Sequence, residues 1–352
     1  MKYIHVIPLD KFSLNLCEVI LESNRNNFIF IYGSRLSINE KLKYEKLIKT
    51  FKTEIYFFNK SLSSFIALIK YFRLIISKKK LKSIFHCSDI INVKILLFIS
   101  ILFRHKFLWH ARGTDLYSPL YFNYPFILKI LNHFIYERCS GIISNTYYDA
   151  LVAKNTYRPD LKHIRMIASP SNTIDQKSLL RFIKKENKVL VGNSGTYTSG
   201  SLFFLKNYQE IISNMNNFKF VFGSSYGHEK YSKLLFENSK NLNNVEIQTK
   251  FLKREDYLKF LSEFKIAVFL PVRPQGLSAL SNLIYFKCTI YTNKNNPIGF
   301  YLEQFKLKYK ILENESNKLF ELSNSDLEYN KKIIIDEFSY EKCLKQWSCL
   351  SE

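Results

Sequence analysis

The chain has 352 residues, of which 47% are hydrophobic and 16% aromatic, and its formal net charge is +22. This composition excludes a disordered or fibrous protein, and the length favours two domains over one. The six cysteines contain no Cys-x-x-Cys pair, which argues against a zinc site or a redox motif and suits a reducing compartment.

The positive charge is concentrated in the N-terminal half of the chain. Residues 1–188 hold 31 Lys and Arg against 13 Asp and Glu, whereas residues 189–352 hold 21 against 17. This asymmetry predicts an anionic partner for the first half, either a nucleic acid or the anionic inner leaflet of a membrane.

The first apolar stretch contains His5, Pro8 and Asp10, so it is interpreted as a first strand and not as a signal peptide. We therefore expect the protein to stay in the cytoplasm. Short apolar runs through the first half predict strands at 3–8, 27–33, 54–58, 83–87, 106–110 and 141–145.

Three segments of the first half mix Phe, Ile, Leu and Tyr with Lys and Arg: residues 63–85, 94–109 and 121–136. The longest uncharged apolar run, Ile95 to Phe103, is far shorter than the roughly 20 residues that a spanning helix needs. These segments fit peripheral contact with a bilayer surface. Ordinary core helices of a protein rich in Lys, Ile and Phe are the alternative.

The second half alternates strands and helices more regularly. Apolar runs predict strands at 188–192, 218–223, 244–248, 265–271 and 289–293, and residues 254–264 have a helical pattern. Apolar strands separated by helices indicate a parallel sheet that is covered on both faces. The predicted architecture is α/β, with two doubly wound Rossmann-like domains facing each other across a cleft.

The predicted domains are a basic, membrane-facing N-terminal domain (1–168), a linker (169–187) and a C-terminal domain (188–335). A C-terminal helix (336–352) is expected to pack back on the first domain.

Four loops of the second domain follow its strands: 192–200, 223–231, 271–283 and 292–297. In a parallel sheet they lie at one edge, where ligands bind. Glycines and hydroxyls before a helix N-terminus favour a phosphate or diphosphate, and Arg273 adds a charged fork. Taken singly, each loop also fits an ordinary turn, and Arg273 also fits a solvated side chain.

The loop sequences VGNSGTYTS, FGSSYGHEKY, AVFLPVRPQGLSALSNLIYF and IYTNKNNP resemble the bacterial 4-acetamido-4,6-dideoxy-D-galactose transferases. That family is glycosyltransferase family 56, the 4-alpha-L-fucosyltransferase type. YIHVIP and FLWHARGTDLY are similar to its motifs in the first half. The resemblance implies a GT-B glycosyltransferase, with a nucleotide sugar on the second domain and a polyprenyl-diphosphate-linked acceptor on the first.

The residues that match the family's motifs, together with the last loop, give the candidate donor site. They are Gly192, Asn193, Ser194, Gly195, Thr196, Tyr226, Gly227, Arg273, Gln275, Gly276 and Asn295. Pro274 departs from the family pattern, which has Gln there. The loss of a side-chain amide near the sugar fits a different hexose or a different base on the nucleotide.

Glycosyl transfer needs stabilisation of the leaving nucleoside diphosphate and a base for the acceptor hydroxyl. The chain has no Asp-x-Asp motif, so we expect no metal and no cofactor. Asp115 is the first candidate base, and an N-cap or turn aspartate is the equal alternative. His5 is the second candidate, although a core histidine is the commoner case. Trp109, His110 and Arg112 are the predicted acceptor residues.

The predicted function is transfer of a 4-acetamido-4,6-dideoxyhexose from dTDP to a polyprenyl-diphosphate-linked oligosaccharide in bacterial surface polysaccharide synthesis. We expect the enzyme to lie on the cytoplasmic face of the inner membrane; its oligomeric state stays open. One alternative is a GT-B enzyme of O-antigen, capsule or lipopolysaccharide-core assembly that uses a UDP-sugar. The non-enzyme alternative, a nucleic-acid-binding protein, lacks any recognised module pattern, so we expect no nucleic acid partner.

Overall fold

A computed structural model describes residues 2–10, 13–33, 37–58, 62–77, 81–87, 91–121, 125–167, 170–179, 185–313 and 315–350. The chain divides into two compact units. The first unit combines Met1–Thr173 with Tyr340–Glu352, and the second is Ile174–Ser339. The predicted linker, 169–187, contains the 3-10 turn Pro170–Asn172 of the first unit and the short helix Gln176–Leu179 of the second.

A seven-stranded parallel sheet forms the centre of the first unit, in the order β3-β2-β1-β4-β5-β6-β7. Its strands are β1 (Tyr3–Pro8), β2 (Phe28–Tyr32), β3 (Ile55–Phe58), β4 (Lys82–His86), β5 (Phe107–His110), β6 (Ile142–Ser144) and β7 (His163–Arg165). The order reverses beside β1, which is the arrangement of a doubly wound fold.

Eight helices cover this sheet within the described residues. They are α1 (Ser13–Ser23), α2 (Ile38–Phe51), α3 (Leu62–Ser77), α4 (Ile91–Leu102), α5 (Thr114–Tyr121), α6 (Phe126–Tyr136), α7 (Tyr147–Thr156) and, from the end of the chain, α16 (Tyr340–Leu350). Local sequence sets several of their ends: Ser37 and Glu40 form a capping box on α2, and Thr146 caps α7.

The second unit holds a six-stranded parallel sheet in the order β10-β9-β8-β11-β12-β13. Its strands are β8 (Glu186–Val191), β9 (Lys219–Gly223), β10 (Val245–Gln248), β11 (Phe264–Val268), β12 (Thr289–Thr292) and β13 (Lys310–Ile311). Its helices are α8 (Gln176–Leu179), α9 (Ser201–Asn207), α10 (Gln209–Asn214), α11 (Glu229–Ser239), α12 (Arg254–Ser262), α13 (Leu277–Tyr285), α14 (Pro297–Gln304) and α15 (Asn324–Glu337).

The predicted strands are all present, and the prediction of an α/β fold with two parallel sheets is confirmed. Two edge strands, β7 and β13, were not predicted. β7 carries His163 and Arg165 and is half-buried to exposed, and β13 has only two residues. Neither has the continuous apolar run that identifies a strand buried on both faces.

The three aromatic and basic segments of the first half contain helices and, in two of them, predicted strands. Residues 63–85 contain most of α3 and most of β4, residues 94–109 contain most of α4 and most of β5, and residues 121–136 contain α6. The strand portions are largely buried, so the surface of these segments comes from the helices and the residues that follow them. In the described ranges, no helix has the length and apolar character that crossing a bilayer requires.

Helix α16 follows the second unit in the chain but packs in the first unit. Gln346 accepts a hydrogen bond from the Ile167 backbone N–H at 2.7 Å, and Cys343 contacts the Ile167 carbonyl. The Tyr340 hydroxyl donates to Glu22 of α1 at 2.6 Å. Trp347 is 1% exposed.

Trp347 covers a buried row of three histidines from adjacent strands. His5 Nδ1 lies 3.1 Å from His86 Nε2, and His86 Nδ1 lies 2.7 Å from His110 Nδ1. The centre of the Trp347 ring is 5.8 Å from the ring centres of both His5 and His86. Each contact needs one proton between its two nitrogens, so the tautomers of the three neutral imidazoles are coupled. When His86 carries its proton on Nε2, it donates to His5 Nδ1 and accepts from the His110 Nδ1–H, and the other His86 tautomer reverses both bonds.

Burial keeps these three imidazoles neutral. It lowers the pKa of His5 to about 3. It also lowers the pKa of His86 and His110 well below the usual value, and the positive charge of Arg112 acts in the same direction. Because an unfolded histidine titrates near 6.5, protons bind more tightly to the unfolded chain. The stability that neutrality contributes is complete above about pH 6.5 and is lost as the pH falls towards the folded values.

We expect acid to destabilise the first unit less steeply in a His5→Asn variant than in the wild type. The free energy of unfolding should fall by about 1.4 kcal/mol less per pH unit between about pH 6 and pH 4, because one such histidine is removed. Urea unfolding followed by tryptophan fluorescence measures this, since Trp109 and Trp347 both lie in the first unit.

The control for this experiment is His133→Asn, at an exposed position on α6, which should keep the wild-type slope. Equal slopes in the wild type and in His5→Asn would contradict a neutral buried row.

Candidate functional site

The candidate donor site lies in the second unit, in the loops that follow β8, β9, β11 and β12. The strands are parallel, so these loops share one edge of the sheet. The first loop turns at Gly192, whose φ is +62° and where a Cβ would lie 2.2 Å from Ser201 Oγ. Only glycine combines this conformation with this contact.

A pair of glycines joins the first loop to the second through their backbones. The Gly195 N–H donates to the Tyr226 carbonyl at 2.7 Å, and the His228 N–H donates to the Gly195 carbonyl at 2.8 Å. A Cβ on Gly227, whose φ is +129°, would lie 2.2 Å from the Gly195 carbonyl oxygen. The two loops touch because neither glycine has a side chain.

The third loop meets the first at Asn193. Gly276 is the N-cap of α13 with a φ of +71°, and a Cβ there would lie 2.6 Å from the Asn193 side chain. Asn193 Nδ2 in turn donates to the Tyr226 hydroxyl at 2.9 Å. The structure thus brings Asn193, Tyr226 and Gly276 together at the N-terminus of α13, where backbone donors and the positive end of the helix dipole favour an anion.

Hydroxyl and amide groups line the same junction. Thr198 Oγ1 donates to Gln275 Oε1 at 2.8 Å, and Gln275 Nε2 reaches Ser194 Oγ at 3.5 Å. Ser194 and Thr196 contact each other at 3.0 Å. All four side chains are buried or half-buried. Thr198 was not predicted as a site residue, although it lies two positions after Thr196 in the same glycine- and hydroxyl-rich loop.

Arg273 is half-buried beside this junction. Burial raises the pKa of Tyr226, whereas contact with Ser194 and the positive charge of Arg273 lower it. An electrostatic effect of this kind requires the guanidinium to lie near the Tyr226 hydroxyl. The junction therefore combines a cation, hydroxyls and a helix N-terminus.

In the fourth loop, the contact to the other loops comes from Asn296 and not from the predicted Asn295. Asn295 is exposed, whereas Asn296 caps α14 and donates through Nδ2 to the Pro271 carbonyl at 2.9 Å. This bond ties the fourth loop to the third. The sequence contains the signal that identifies Asn296, because an Asn directly before a Pro is typical of a helix N-cap followed by position N1.

In the first unit, Asp115 lies at the start of α5 and is buried. Its carboxylate accepts the Trp109 indole N–H at 2.6 Å and the Arg112 backbone N–H at 3.1 Å. These bonds hold the loop after β5 and resemble the turn alternative, since Asp115 lies inside the first turn of α5 and bonds back to the Arg112 backbone. The role of Asp115 as catalytic base stays a prediction that these contacts do not favour.

The other residues predicted in the first unit occupy different environments. Trp109 is 1% exposed and stacks on Tyr136 with ring centres 3.8 Å apart, and His5 and His110 lie in the buried row. Their side chains therefore pack in the core. Arg112 is half-buried and pairs with Asp10 at 2.6 Å. The acceptor role of Trp109, His110 and Arg112 and the role of His5 as a base stay predictions.

No group of three or more His, Cys, Asp or Glu side chains is arranged to hold a metal ion in the part of the chain that the structure describes.

Residues 16–349 match the family described as 4-alpha-L-fucosyltransferase, glycosyl transferase group 56. No protein of curated function matches the sequence. Several solved structures share the fold. Anabaena HepE in complex with UDP-glucose has a TM-score of 0.63 at 11% identity, covering 100% of this chain and 99% of that one.

Two further structures are similar over nearly the whole chain. A mutant of S. aureus TarM in complex with fondaparinux, alpha-GlcNAc-glycerol and UDP has a TM-score of 0.60 at 12% identity and covers 99% of both chains. A glycosyltransferase from Rickettsia africae ESF-5 has a TM-score of 0.58 at 12% identity, covering 98% of this chain and 96% of that one.

The predicted GT-B fold and the predicted family are both confirmed. The chain therefore belongs to the 4-alpha-L-fucosyltransferase family, glycosyl transferase group 56, and is a glycosyltransferase.

Proposed function

We propose that this glycosyltransferase moves a hexosyl group from a nucleoside-diphosphate sugar to a lipid-linked acceptor. The observation that carries the donor half of this proposal is the junction of Asn193, Tyr226 and Gly276 at the N-terminus of α13. Backbone N–H groups, hydroxyls and one arginine converge there, as recognition of a diphosphate requires.

The same groups account for leaving-group stabilisation. When the bond between the anomeric carbon and the phosphate oxygen breaks, negative charge develops on the nucleoside diphosphate. Arg273 and the first turn of α13 are fixed in position before the reaction, so they oppose this charge without reorganising. We therefore propose that transfer does not require a metal ion.

The polar side chains beside the diphosphate position supply a sugar site. Ser194, Thr198 and Gln275 hydrogen-bond to one another in this structure. A bound hexose exchanges these bonds for bonds to its own hydroxyl or acetamido groups. The resemblance of the loops to family 56 supports a 4-acetamido-4,6-dideoxyhexose carried on dTDP.

A UDP-sugar is the second candidate donor. The HepE structure contains UDP-glucose and the TarM structure contains UDP, which supports uridine nucleotides for proteins of this fold. The departure at Pro274, next to Arg273, also fits a donor that differs from the family pattern.

A surface of the first unit supports a lipid-linked acceptor at a membrane. Helices α3, α4 and α6 are adjacent. The ring centre of Phe72 on α3 lies 4.9 Å from that of Phe103, which follows α4, and the ring centre of Phe98 on α4 lies 6.3 Å from that of Phe134 on α6. We call the exposed apolar side chains of these helices the apolar face. They are Phe65, Ile66, Ile69, Phe72, Ile76, Ile95, Phe98, Leu102, Phe126, Ile127 and Ile130.

Cations are interspersed on the apolar face. Arg73 of α3, Arg104 after α4 and Lys129 of α6 are all exposed. Large apolar side chains with flanking Lys and Arg are the features that bind a protein to an anionic bilayer surface. We propose peripheral attachment to the cytoplasmic face of the inner membrane, where a polyprenyl-diphosphate-linked oligosaccharide of surface polysaccharide synthesis is the acceptor.

We expect dTDP or UDP to raise the melting temperature of the purified protein, because a ligand that binds only the folded state stabilises it by about 2.7 kcal/mol at a concentration of 100 Kd. Arg273→Ala should weaken binding about tenfold or more, since a hydrogen bond to a charged group contributes roughly 1.5–3 kcal/mol. A thermal-shift series with dTDP, UDP, GDP, ADP and CMP measures both effects and identifies the base.

Arg254→Ala, at an exposed arginine of the same unit at the start of α12, is the matched control and should keep the full shift. The absence of a shift with every nucleotide, or an equal shift in wild type and Arg273→Ala, would count against this donor site.

We also expect sedimentation of the protein with vesicles that contain phosphatidylglycerol to depend on α3. Replacing Phe65 and Ile66, which are 61% and 57% exposed, by Glu should weaken partitioning at least tenfold. Each side chain contributes roughly 1.5–3 kcal/mol when it is buried in an apolar medium.

Leu42→Glu serves as the control, because Leu42 is 57% exposed on α2, outside the apolar face, and the change should leave partitioning as in the wild type. If Phe65→Glu with Ile66→Glu binds vesicles as the wild type does, the apolar face is not the membrane contact.

A further inference from the structure

A cavity of about 500 Å³ lies in the first unit among helices α5, α6 and α7. Its volume is within the range of small-molecule sites, which is roughly 300–1,000 Å³. Leu120, Ile130, Phe134 and Tyr157 are among the residues that line it. None of the residues predicted from the sequence belongs to it.

The apolar wall of the cavity is held in place by aromatic contacts. The Tyr157 ring packs against Tyr136 with ring centres 4.9 Å apart, and Tyr136 stacks on the buried Trp109 at 3.8 Å. On the other side, the Arg138 guanidinium lies over the Phe134 ring at 3.8 Å. The wall is therefore built on the core of the unit and not on a loop.

The cavity is continuous with the apolar face. Ile130 is 54% exposed and belongs to both, and Leu120, at 42% exposure, adjoins the cavity from α5. Phe126 and Ile127 lie one turn before Ile130 on α6. Exposed apolar side chains of α5 and α6 therefore adjoin the mouth of the cavity, next to Lys129.

Two cations at the cavity give it a charge suited to a phosphate. Lys129 is exposed and lines the cavity, and so does Arg138, which pairs with Glu137 at 3.2 Å. The charges of Arg138 and Glu137 cancel, so Lys129 gives the rim of the cavity a net positive charge. An apolar wall with a cationic rim matches an amphiphile that has an anionic head.

Helix α5 connects the cavity with the ligand-binding edge of the first sheet. Its first turn carries Asp115, which binds the loop after β5, and its end carries Leu120 at the cavity. The eight residues of α5 span about 12 Å. A lipid phosphate held at the cavity thus directs what it carries along α5 towards the carboxyl ends of the strands, where ligands of such sheets bind.

We propose that this cavity binds the first part of the hydrocarbon chain of the lipid-linked acceptor, with its phosphate at Lys129 and Arg138. The inference rests on the proposed function for the choice of the acceptor lipid over a bulk phospholipid. The site itself rests on the apolar wall, the cationic rim and the continuity with the apolar face.

Binding of farnesyl phosphate to the full-length protein, measured by calorimetry without vesicles, tests the proposal. We expect saturable binding of one molecule per chain, at least tenfold weaker binding of farnesol, and no detectable binding of inorganic phosphate. Ile130→Asp should weaken binding at least tenfold and Lys129→Ala about threefold or more. Leu151→Asp, at an exposed aliphatic residue of α7 outside the cavity, should leave binding unchanged.

Several outcomes would overturn the proposal. One is the absence of saturable farnesyl phosphate binding, and another is an equal loss of that binding in Ile130→Asp and Leu151→Asp. A third is binding of short-chain dihexanoyl phosphatidylglycerol as tight as that of farnesyl phosphate, which would identify a general lipid site. The nucleotide thermal shift and sugar transfer are measured on the same variants. Full transfer to a lipid-linked acceptor by Ile130→Asp, with farnesyl phosphate binding unaffected, would remove the cavity proposal and leave the proposed function intact.

Discussion

The backbone pairing of Gly195 with Gly227 is the contact on which the donor-side loops depend. It adds one parallel bridge beyond the ends of β8 and β9, and its two hydrogen bonds are 2.7 and 2.8 Å long. Because the pairing fixes the Tyr226 carbonyl, it also directs the Tyr226 hydroxyl to Asn193. The Asn193 side chain lies against Gly276 at the start of α13. One pair of backbone hydrogen bonds therefore helps to position three loops and a helix N-terminus.

The first unit organises the same edge of its sheet by side chains instead of glycines. Asp115 binds the loop after β5, and the imidazoles of His5, His86 and His110 bind one another beneath Trp347. Buried polar groups are costly unless they are hydrogen-bonded. Each of these side chains bonds to an adjacent strand or to the following loop through at least one atom, although His5 Nε2 has no hydrogen-bond partner. Three of these residues, His5, His110 and Asp115, are also predicted site residues, and in the structure their side chains hold this edge of the sheet together.

The sequence predicted the sheets and the donor loops because their signals are local. An apolar run followed by Gly, Ser and Thr and then a helical pattern identifies a strand, a turn and a helix N-terminus without any knowledge of partners. The histidine row was not predictable in this way, because residues 5, 86 and 110 come together only through the strand order β1-β4-β5.

Asp115 illustrates the same limit. Its local sequence fits a base and a turn or cap residue equally well, and its bond to Trp109 depends on tertiary packing that the local sequence does not indicate. The cavity had no sequence signal at all, since its lining comes from the end of α5, one face of α6 and the end of α7.

The two units differ in how their positive charge is arranged, and this difference supports the proposal of an amphiphilic acceptor. At the donor junction, helix and backbone dipoles act together with one arginine. The effect of the helix dipole is confined to the first turn. The first unit, residues 1–173 with 340–352, instead carries 28 Lys and Arg against 13 Asp and Glu, and the field of such charges extends over about 8–10 Å of salt solution. If the acceptor is lipid-linked, as proposed above, its hydrocarbon chain would contact the apolar face and its phosphate would contact the cations. A soluble sugar acceptor would make no use of exposed side chains such as Phe65 and Ile127.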